Sequence, residues 1–478
     1  MFFGTKSSPL YFFNEGSDPN VYFIMGKGWL NGYIPYKDLF DHKGPLLYVI
    51  FGIGYLISND SYLGIYILQS ISFSFILFFI YKSASLFVNI HYAYIAALLF
   101  SIIFFSTGSL GASADEFNLL FTSIGLYLIL KHFTDDNNPR NLFYLFIQGI
   151  LIGCVALIKF NIIILWFFPL LAIIIEKYRT RNIRLALQYI LAIISGILII
   201  TLPFIAYFYF VGALGDFWES YIIFNFIYSS VGTKIDPFFI IVKDEFTTNP
   251  IIMSIIIGGV VYFTFTDKIR SNILKSSIPL MFIATYYIIF KNTYYAYYII
   301  GICIISVLGL IALLSIIEKK QYKQNYTHIL IILVGVILIN LFLKRNFIKQ
   351  RNSYNHQIEF VNYMKENSKG KEPELLTITL DEGYYLLTNS FPVSKYFYMP
   401  AIKYEVYPKI IDSNIKLLKS DKAPLYITDY RYVDMTKSSA GYGSRYKEII
   451  NLRYEVAKVY TDYGKWPALQ YILYKRID

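Results

Sequence analysis

Cysteine is almost missing from this chain of 478 residues: there are two, Cys154 and Cys303. Both lie inside apolar runs, so neither a disulfide framework nor a zinc site is expected. Charge is scarce as well, at 16% of residues. The five histidines (His42, His91, His132, His328 and His356) do not cluster in sequence. No P-loop, dinucleotide glycine fingerprint, paired-histidine metallopeptidase motif or nucleophile elbow occurs. These absences argue against a soluble nucleotide-sugar site and against a metallopeptidase. The opening residues lack a charged segment followed by a long apolar core, so no cleavable signal peptide is expected.

What the chain has in quantity is apolar and aromatic surface. Hydrophobic residues make up 56%, aromatic residues 19%, and the mean hydropathy is +0.48. Runs of about 20 apolar residues recur through residues 45–343, the length that crosses a bilayer. The fold class expected is a polytopic α-helical membrane protein with about ten spans. The apolar runs lie at 45–58 (short) with 62–81, then 92–110, 116–131, 143–158, 161–175, 185–211, 250–266, 277–290, 297–317 and 327–343. The formal net charge is +11. Many of these cations sit in short loops between spans, where membrane topology explains them better than nucleic acid does.

One set of loops carries Lys82, Lys131, Arg140, Lys177, Arg179, Arg181, Arg184, Lys268, Arg270, Lys275, Lys319, Lys320 and Lys323. The alternate short turns carry only Lys159 and Lys291. The positive-inside rule makes the first set cytoplasmic. Ten crossings then place both the opening stretch and the tail outside, so a further span ahead of Met1 is expected. Residues 212–249 form a long outer loop whose aromatic piece, residues 216–231, reads as a helix lying in the interface. Beyond Lys344 the composition turns polar. Strands are expected at 375–380, 424–428, 455–460 and 468–474, with helices at 355–368 and 405–419. The expected organisation is an outer catalytic loop (1–44), a membrane domain (45–344) and a soluble extracytoplasmic α/β domain (345–478).

The most informative stretch runs from Asp18 to Pro45. It packs Asp18, Asp38, Asp41, His42, Lys27, Lys37 and Lys43 between apolar turns, then enters a helix through Gly44-Pro45. Proline suits a first helical position, and the amides of that helix start are expected to offer an anion site beside His42 and Lys43. Asp115-Glu116 opens another span on the same side, where carboxylates serve either as helix caps or as functional acids. Lys159 and the Lys291 turn, with Tyr294, Tyr295, Tyr297 and Tyr298, add a cation and sugar-stacking rings. Carboxylates suit a base for an acceptor hydroxyl, and cations suit a departing lipid phosphate. A divalent cation (Mg or Mn) could also sit among mixed carboxylates, but no ligand spacing demands one.

The run Pro35-Tyr36-Lys37-Asp38-Leu39-Phe40-Asp41-His42-Lys43-Gly44-Pro45 resembles a motif of the C-type-fold membrane glycosyltransferases that use polyprenyl-phosphate sugars. That family includes the protein O-mannosyltransferases and the lipid A aminoarabinose transferases, and the likeness extends over the span pattern from about residue 9 to 343. The resemblance implies Asp18 as catalytic aspartate, Asp115 and Glu116 as the second acidic motif, and Lys43 as the lysine that holds the lipid phosphate. It also matches Asn225 and Tyr228 to an aromatic-flanked pair in the large outer loop, while Asp41, His42, Lys159 and Tyr297 are candidate substrate contacts on their own chemistry. Two departures stand out: relatives carry a span before the first outer loop, and many have His-Tyr where this chain has Ala296-Tyr297. The implied activity is inverting sugar transfer at the outer face of a bacterial inner membrane. The donor would be a polyprenyl-phosphate sugar and the acceptor an envelope glycan, lipid or protein. The alternatives are a lipid-linked glycan flippase, which would place its charges nearer the bilayer midplane, and a catalytically inactive scaffold that binds lipid phosphate.

Overall fold

The computed structural model describes residues 1–107, 111–134, 142–230, 235–291, 296–319, 355–432, 443–463 and 468–477, apart from Phe12, Glu15 and Lys369. Its first half is a succession of helices: α1 (Ser17–Leu30), α2 (Pro45–Ile57), α3 (Leu63–Ala84), α4 (Ile90–Ser106), α5 (Ala114–Thr134), α6 (Leu142–Ala156), α7 (Ile164–Arg179) and α8 (Ile183–Phe210). Their starts follow ordinary capping chemistry. Pro45 occupies the first turn of α2. The Asn89 side chain accepts the His91 and Tyr92 amides ahead of α4, and Asn182 accepts the Leu185 amide ahead of α8.

After α8 come α9 (Leu214–Phe217), a π-helical turn (Trp218–Ile223) and α10 (Phe224–Ser230). This helical stretch falls where the interfacial helix is expected. Its Phe217, Tyr221 and Phe224 are buried, while Trp218 and Phe226 are exposed. The remaining helices of this half are α11 (Ile235–Thr248), α12 (Pro250–Phe265), α13 (Asn272–Phe290), α14 (Ile299–Cys303) and α15 (Ser306–Lys319).

Among the described residues, six helical runs are long and apolar enough to cross a membrane: Leu63–Ala84, Ala114–Thr134, Phe160–Arg179, Ile183–Phe210, Asn272–Phe290 and Ile299–Lys319. Val242–Thr248 and Pro250–Phe265, bent by 109° where they meet, would make a seventh. The chain is a multi-pass helical membrane protein. The expected ten spans are not shown: among the described residues α2, α4 and α6 are apolar but shorter than a full crossing. α4 stops at Ser106 and α6 at Ala156, so the expected runs 92–110 and 143–158 include residues beyond the helix ends. The expected run at 327–343 lies outside the described residues.

α6 and α8 approach closely at two glycines. A Cβ on Gly149 would fall on the Ile193 carbonyl, and one on Gly196 on the Phe146 carbonyl. Small residues are what allow helix backbones to meet where burial of apolar area gives no advantage over lipid.

The two sets of loops gather at opposite ends of the helices. At the cation-rich end Arg270 pairs with Glu176 (2.6 Å), its amide reaches the Phe133 carbonyl (3.3 Å), and Lys268 meets the Phe87 carbonyl. At the other end lie residues 31–44, the turn at 157–159, the 211–230 stretch and the C-terminal part.

That C-terminal part contains α16 (Asn355–Asn367), α17 (Gly383–Thr388), α18 (Lys409–Lys419) and α19 (Gly443–Arg453). They surround a four-stranded sheet of β1 (Leu375–Thr377), β2 (Tyr426–Tyr432), β3 (Tyr454–Asp462) and β4 (Leu469–Arg476), in the order β1-β2-β4-β3. β1 runs parallel to β2 with Leu376 opposite Ile427, and the other pairings are antiparallel. All four strands overlap the apolar runs that suggest them in the sequence. α17 and α19 have no counterpart there, because neither is announced by a long amphipathic repeat.

Candidate active site

The site is built around residues 35–44. Tyr36 stands in the left-handed region (φ 69°), with its ring buried against Phe208 and Phe217 at 5.3 and 5.4 Å. Its hydroxyl donates to the Lys43 carbonyl at 2.7 Å, closing the loop on itself. Gly44 then passes so near the 157–158 turn that a Cβ would fall on the Leu157 carbonyl. The Gly44 amide donates to Ile158 O (3.0 Å) and the Leu46 amide to Leu157 O (2.9 Å).

This pinning corrects the expected anion site at the start of α2. Pro45 has no N–H, the Leu46 amide is spent on Leu157, and the Leu47 amide turns back to Gly44 O at 3.2 Å. The first-turn donors of that helix are thus taken by the protein itself.

The side chains of Asp41, His42 and Lys43 form a connected chain. Lys43 Nζ lies 2.7 Å from His42 Nε2. His42 Nδ1 lies 3.0 Å from the Tyr398 hydroxyl and 3.3 Å from Asp41 Oδ1. Tyr398 donates to Asp41 Oδ1 (2.7 Å) and Tyr48 to Asp41 Oδ2 (2.8 Å). An ammonium can only donate, so His42 Nε2 carries the lone pair and Nδ1 the proton.

Burial works against ionisation of Asp41. The hydrogen bond and charge of His42, the Lys43 charge and the Tyr398 hydroxyl outweigh it and hold the carboxyl down to about 2. Burial, followed by the Lys43 charge, pushes the His42 imidazole below its ordinary range, which favours the neutral ring. Among the described residues no carboxylate oxygen lies within 4.0 Å of Lys43 Nζ, and the ammonium is held by a neutral acceptor.

The acidic residues part ways. Asp18 sits in the first turn of α1 but is not its cap; Gly16 occupies that position. Asp18 Oδ2 accepts from Tyr22, one helical turn on, at 3.0 Å. Its charge acts on His42, Lys159 and Tyr297, which places it in the same surroundings.

Asp115 is buried and gripped by Lys159 through both oxygens, at 3.0 and 2.8 Å. Burial disfavours the Lys159 ammonium, but the Asp115 charge overcomes it and raises the group. Lys159 also sits over the Tyr298 ring at 4.7 Å. Its cation is thus largely committed within the protein, so the expected role of Lys159 at the lipid phosphate or sugar gives way to one of holding Asp115. Replacing Lys159 with Met would leave Asp115 buried and unpaired, at an expected cost of about 3–5 kcal/mol. Thermal unfolding in detergent should show this, and the Asp115→Asn/Lys159→Met double variant should recover most of the loss.

Glu116 has a different job from the catalytic one expected. Its Oε1 accepts the Gly111 and Ser113 amides at 2.9 and 3.0 Å, and Gln69 donates to its Oε2. Ser113 Oγ in turn faces the Glu116 amide at 3.4 Å. This is a capping box, in which the helix start and the carboxylate three residues on satisfy each other. The same loop is tied to the approach to α1, since Asn14 donates to the Gly111 carbonyl at 2.7 Å. Glu116 therefore fixes the loop that brings the two acidic segments together.

Of the aromatic and amide candidates, Asn225 donates to the His42 and Tyr221 carbonyls at 2.6 and 2.7 Å, a bracing role. Tyr228 lies 5.6 Å from the His42 ring, centre to centre. The Tyr297 hydroxyl is raised by burial, then by the charges of Asp18, Tyr298 and Asp115. Tyr294 and Tyr295 lie outside the described residues. Among the described residues, no three His, Cys, Asp or Glu side chains gather as a metal site. Cys154 and Cys303 are buried free thiols.

The residue sequence reading missed is Tyr398, more than 350 positions from Asp41. No local pattern announces it. Tyr22 was findable, since Asp18 and Tyr22 are spaced by one helical turn.

Residues 42–207 match the family model described as dolichyl-phosphate-mannose-protein mannosyltransferase. No curated protein matches the chain. Among solved structures, the chain is similar to ArnT from Cupriavidus metallidurans bound to undecaprenyl phosphate. The TM-score is 0.61 and the identity 14%, over 96% of this chain and 94% of that one. The apo state of the same protein gives 0.60 at the same identity and coverage. The chain therefore shares the fold of that ArnT, and its residues 42–207 match the dolichyl-phosphate-mannose-protein mannosyltransferase model.

Proposed function

We propose that the chain is an inverting glycosyltransferase. It takes a sugar from a polyprenyl-phosphate donor at the outer face of a bacterial inner membrane and passes it to an envelope glycan, lipid or protein. The observation that carries this reading is the Lys43 ammonium. It is half-buried, hydrogen-bonded to a neutral imidazole and, among the described residues, without a carboxylate partner. A cation with no carboxylate in direct contact among the described residues, beside a membrane-embedded helix bundle, suits a lipid phosphate.

The chemistry follows from the charges. The acceptor oxygen attacks the anomeric carbon as Asp18 takes its proton. The bond from that carbon to the phosphate oxygen breaks, and the phosphate leaves with the electron pair. Charge grows on the departing phosphate, where Lys43 stabilises it. No acid is needed for the leaving group. Asp115, locked to Lys159, shapes the surroundings of Asp18 and Tyr297.

The experiment is equilibrium binding of undecaprenyl phosphate to the purified full chain in nanodiscs. Binding should be saturable and should weaken at least tenfold in Lys43→Met, the order expected for a charge-assisted contact. A Lys43→Met protein that binds as tightly as the parent would refute the reading.

A further inference from the structure

We infer that the C-terminal part completes the phosphate site through Tyr398, a positioning residue that orients Lys43 by fixing the His42 ring. This rests on the function proposed above and extends it to a residue outside the helical half.

The argument is one of proton accounting. Asp41 is an acceptor, so the single proton of the Tyr398 hydroxyl goes to Asp41 Oδ1 at 2.7 Å. The hydroxyl oxygen, 3.0 Å from His42 Nδ1, can then only accept. Nδ1 must carry the ring proton, and Nε2 must offer its lone pair. Lys43 Nζ, 2.7 Å from Nε2, demands the same tautomer from the other side. The two constraints agree. Without the hydroxyl, the ring is held at Nδ1 only by Asp41 at 3.3 Å.

Tyr398 is itself held in place. The Phe40 amide donates to the Lys395 carbonyl at 2.9 Å, and Lys395 pairs with Asp216 at 2.7 Å. Tyr407 and Lys409 both reach Glu219, at 2.9 and 2.5 Å. Residues 395–409 are thus strapped across the catalytic loop and the 216–219 turn. The buried Tyr398 ring lies against Phe40, with centres 6.2 Å apart. A phenylalanine keeps that packing and loses only the hydroxyl.

The test is a double-mutant cycle on undecaprenyl phosphate binding, using the full chain in nanodiscs. Tyr398→Phe should weaken binding about tenfold, the low end for removing a group that orients a ligand-holding residue. Because it acts through Lys43, the Tyr398→Phe/Lys43→Met double variant should bind no more weakly than Lys43→Met, within about twofold. A purely structural role would add its loss to that of Lys43. Additive losses, or parent-like binding by Tyr398→Phe, would overturn the inference while leaving the Lys43 assignment standing. A parent chain that does not bind the lipid at all would sink both. Should Tyr398→Phe fail to fold, Asp41→Ala removes the acceptor of that hydroxyl and is read by the same cycle.

Discussion

Lys43→Met is expected to slow sugar transfer by about 10²–10³-fold, the usual effect of removing one preorganised stabiliser of developing charge. Lys43, unlike Lys159, is not tied to a carboxylate among the described residues. Lys159 is held by Asp115 and cannot take over without exposing that buried carboxylate. Single-turnover release of polyprenyl phosphate is the measurement, because it reports the bond that breaks. Lys43→Arg is not a conservative control: a planar fork presents its protons differently from a point ammonium, and the Nε2 contact at 2.7 Å fits the latter. A Lys43→Met enzyme retaining a third or more of parental turnover would place the phosphate elsewhere.

Asp18→Asn should cost about 10²–10⁴-fold in turnover, the range of general-base catalysis, with donor binding kept. The amide oxygen of Asn can still accept from Tyr22, so α1 should keep its start. Asp115→Asn provides the contrast. It breaks the double contact with Lys159, so instability should precede any loss of chemistry. The two variants, compared by thermal unfolding and by turnover, separate the base from the support. Full activity in Asp18→Asn would end the base assignment, and Asp115→Asn would then need testing in its place.

Much of the fold is legible in the sequence because its signals are local. Apolar runs long enough to span a bilayer give α3, α5, α8, α13 and α15 within a few residues at most ends. The strand runs of the C-terminal part are set by short β-branched and aromatic stretches between polar turns. Span number is less legible. Composition does not tell where α4 and α6 end, since the residues beyond Ser106 and Ala156 are also small or apolar.

The candidate site is half legible. The motif from Pro35 to Pro45 marks Asp41, His42 and Lys43, and Asp18 stands out as a carboxylate opening an apolar helix. Sequence could not rank the acids, since Asp115 and Glu116 are neighbours with the same chemistry. A rotation of about 100° between successive helix positions aims one at Lys159 and the other at its own helix start.

By itself, the sequence determined the helical membrane class, the side of the bundle on which the polar groups collect, and the short motif that carries the cation. These follow from transfer energies and from backbone rules that act within a few residues. Only the tertiary structure decided which charges are free. The Leu157 carbonyl consumes a helix-start amide, Lys159 and Asp115 neutralise each other, and Tyr398 arrives from the far end of the chain to set a tautomer. Charge compensation depends on distance in space, which residue spacing does not encode.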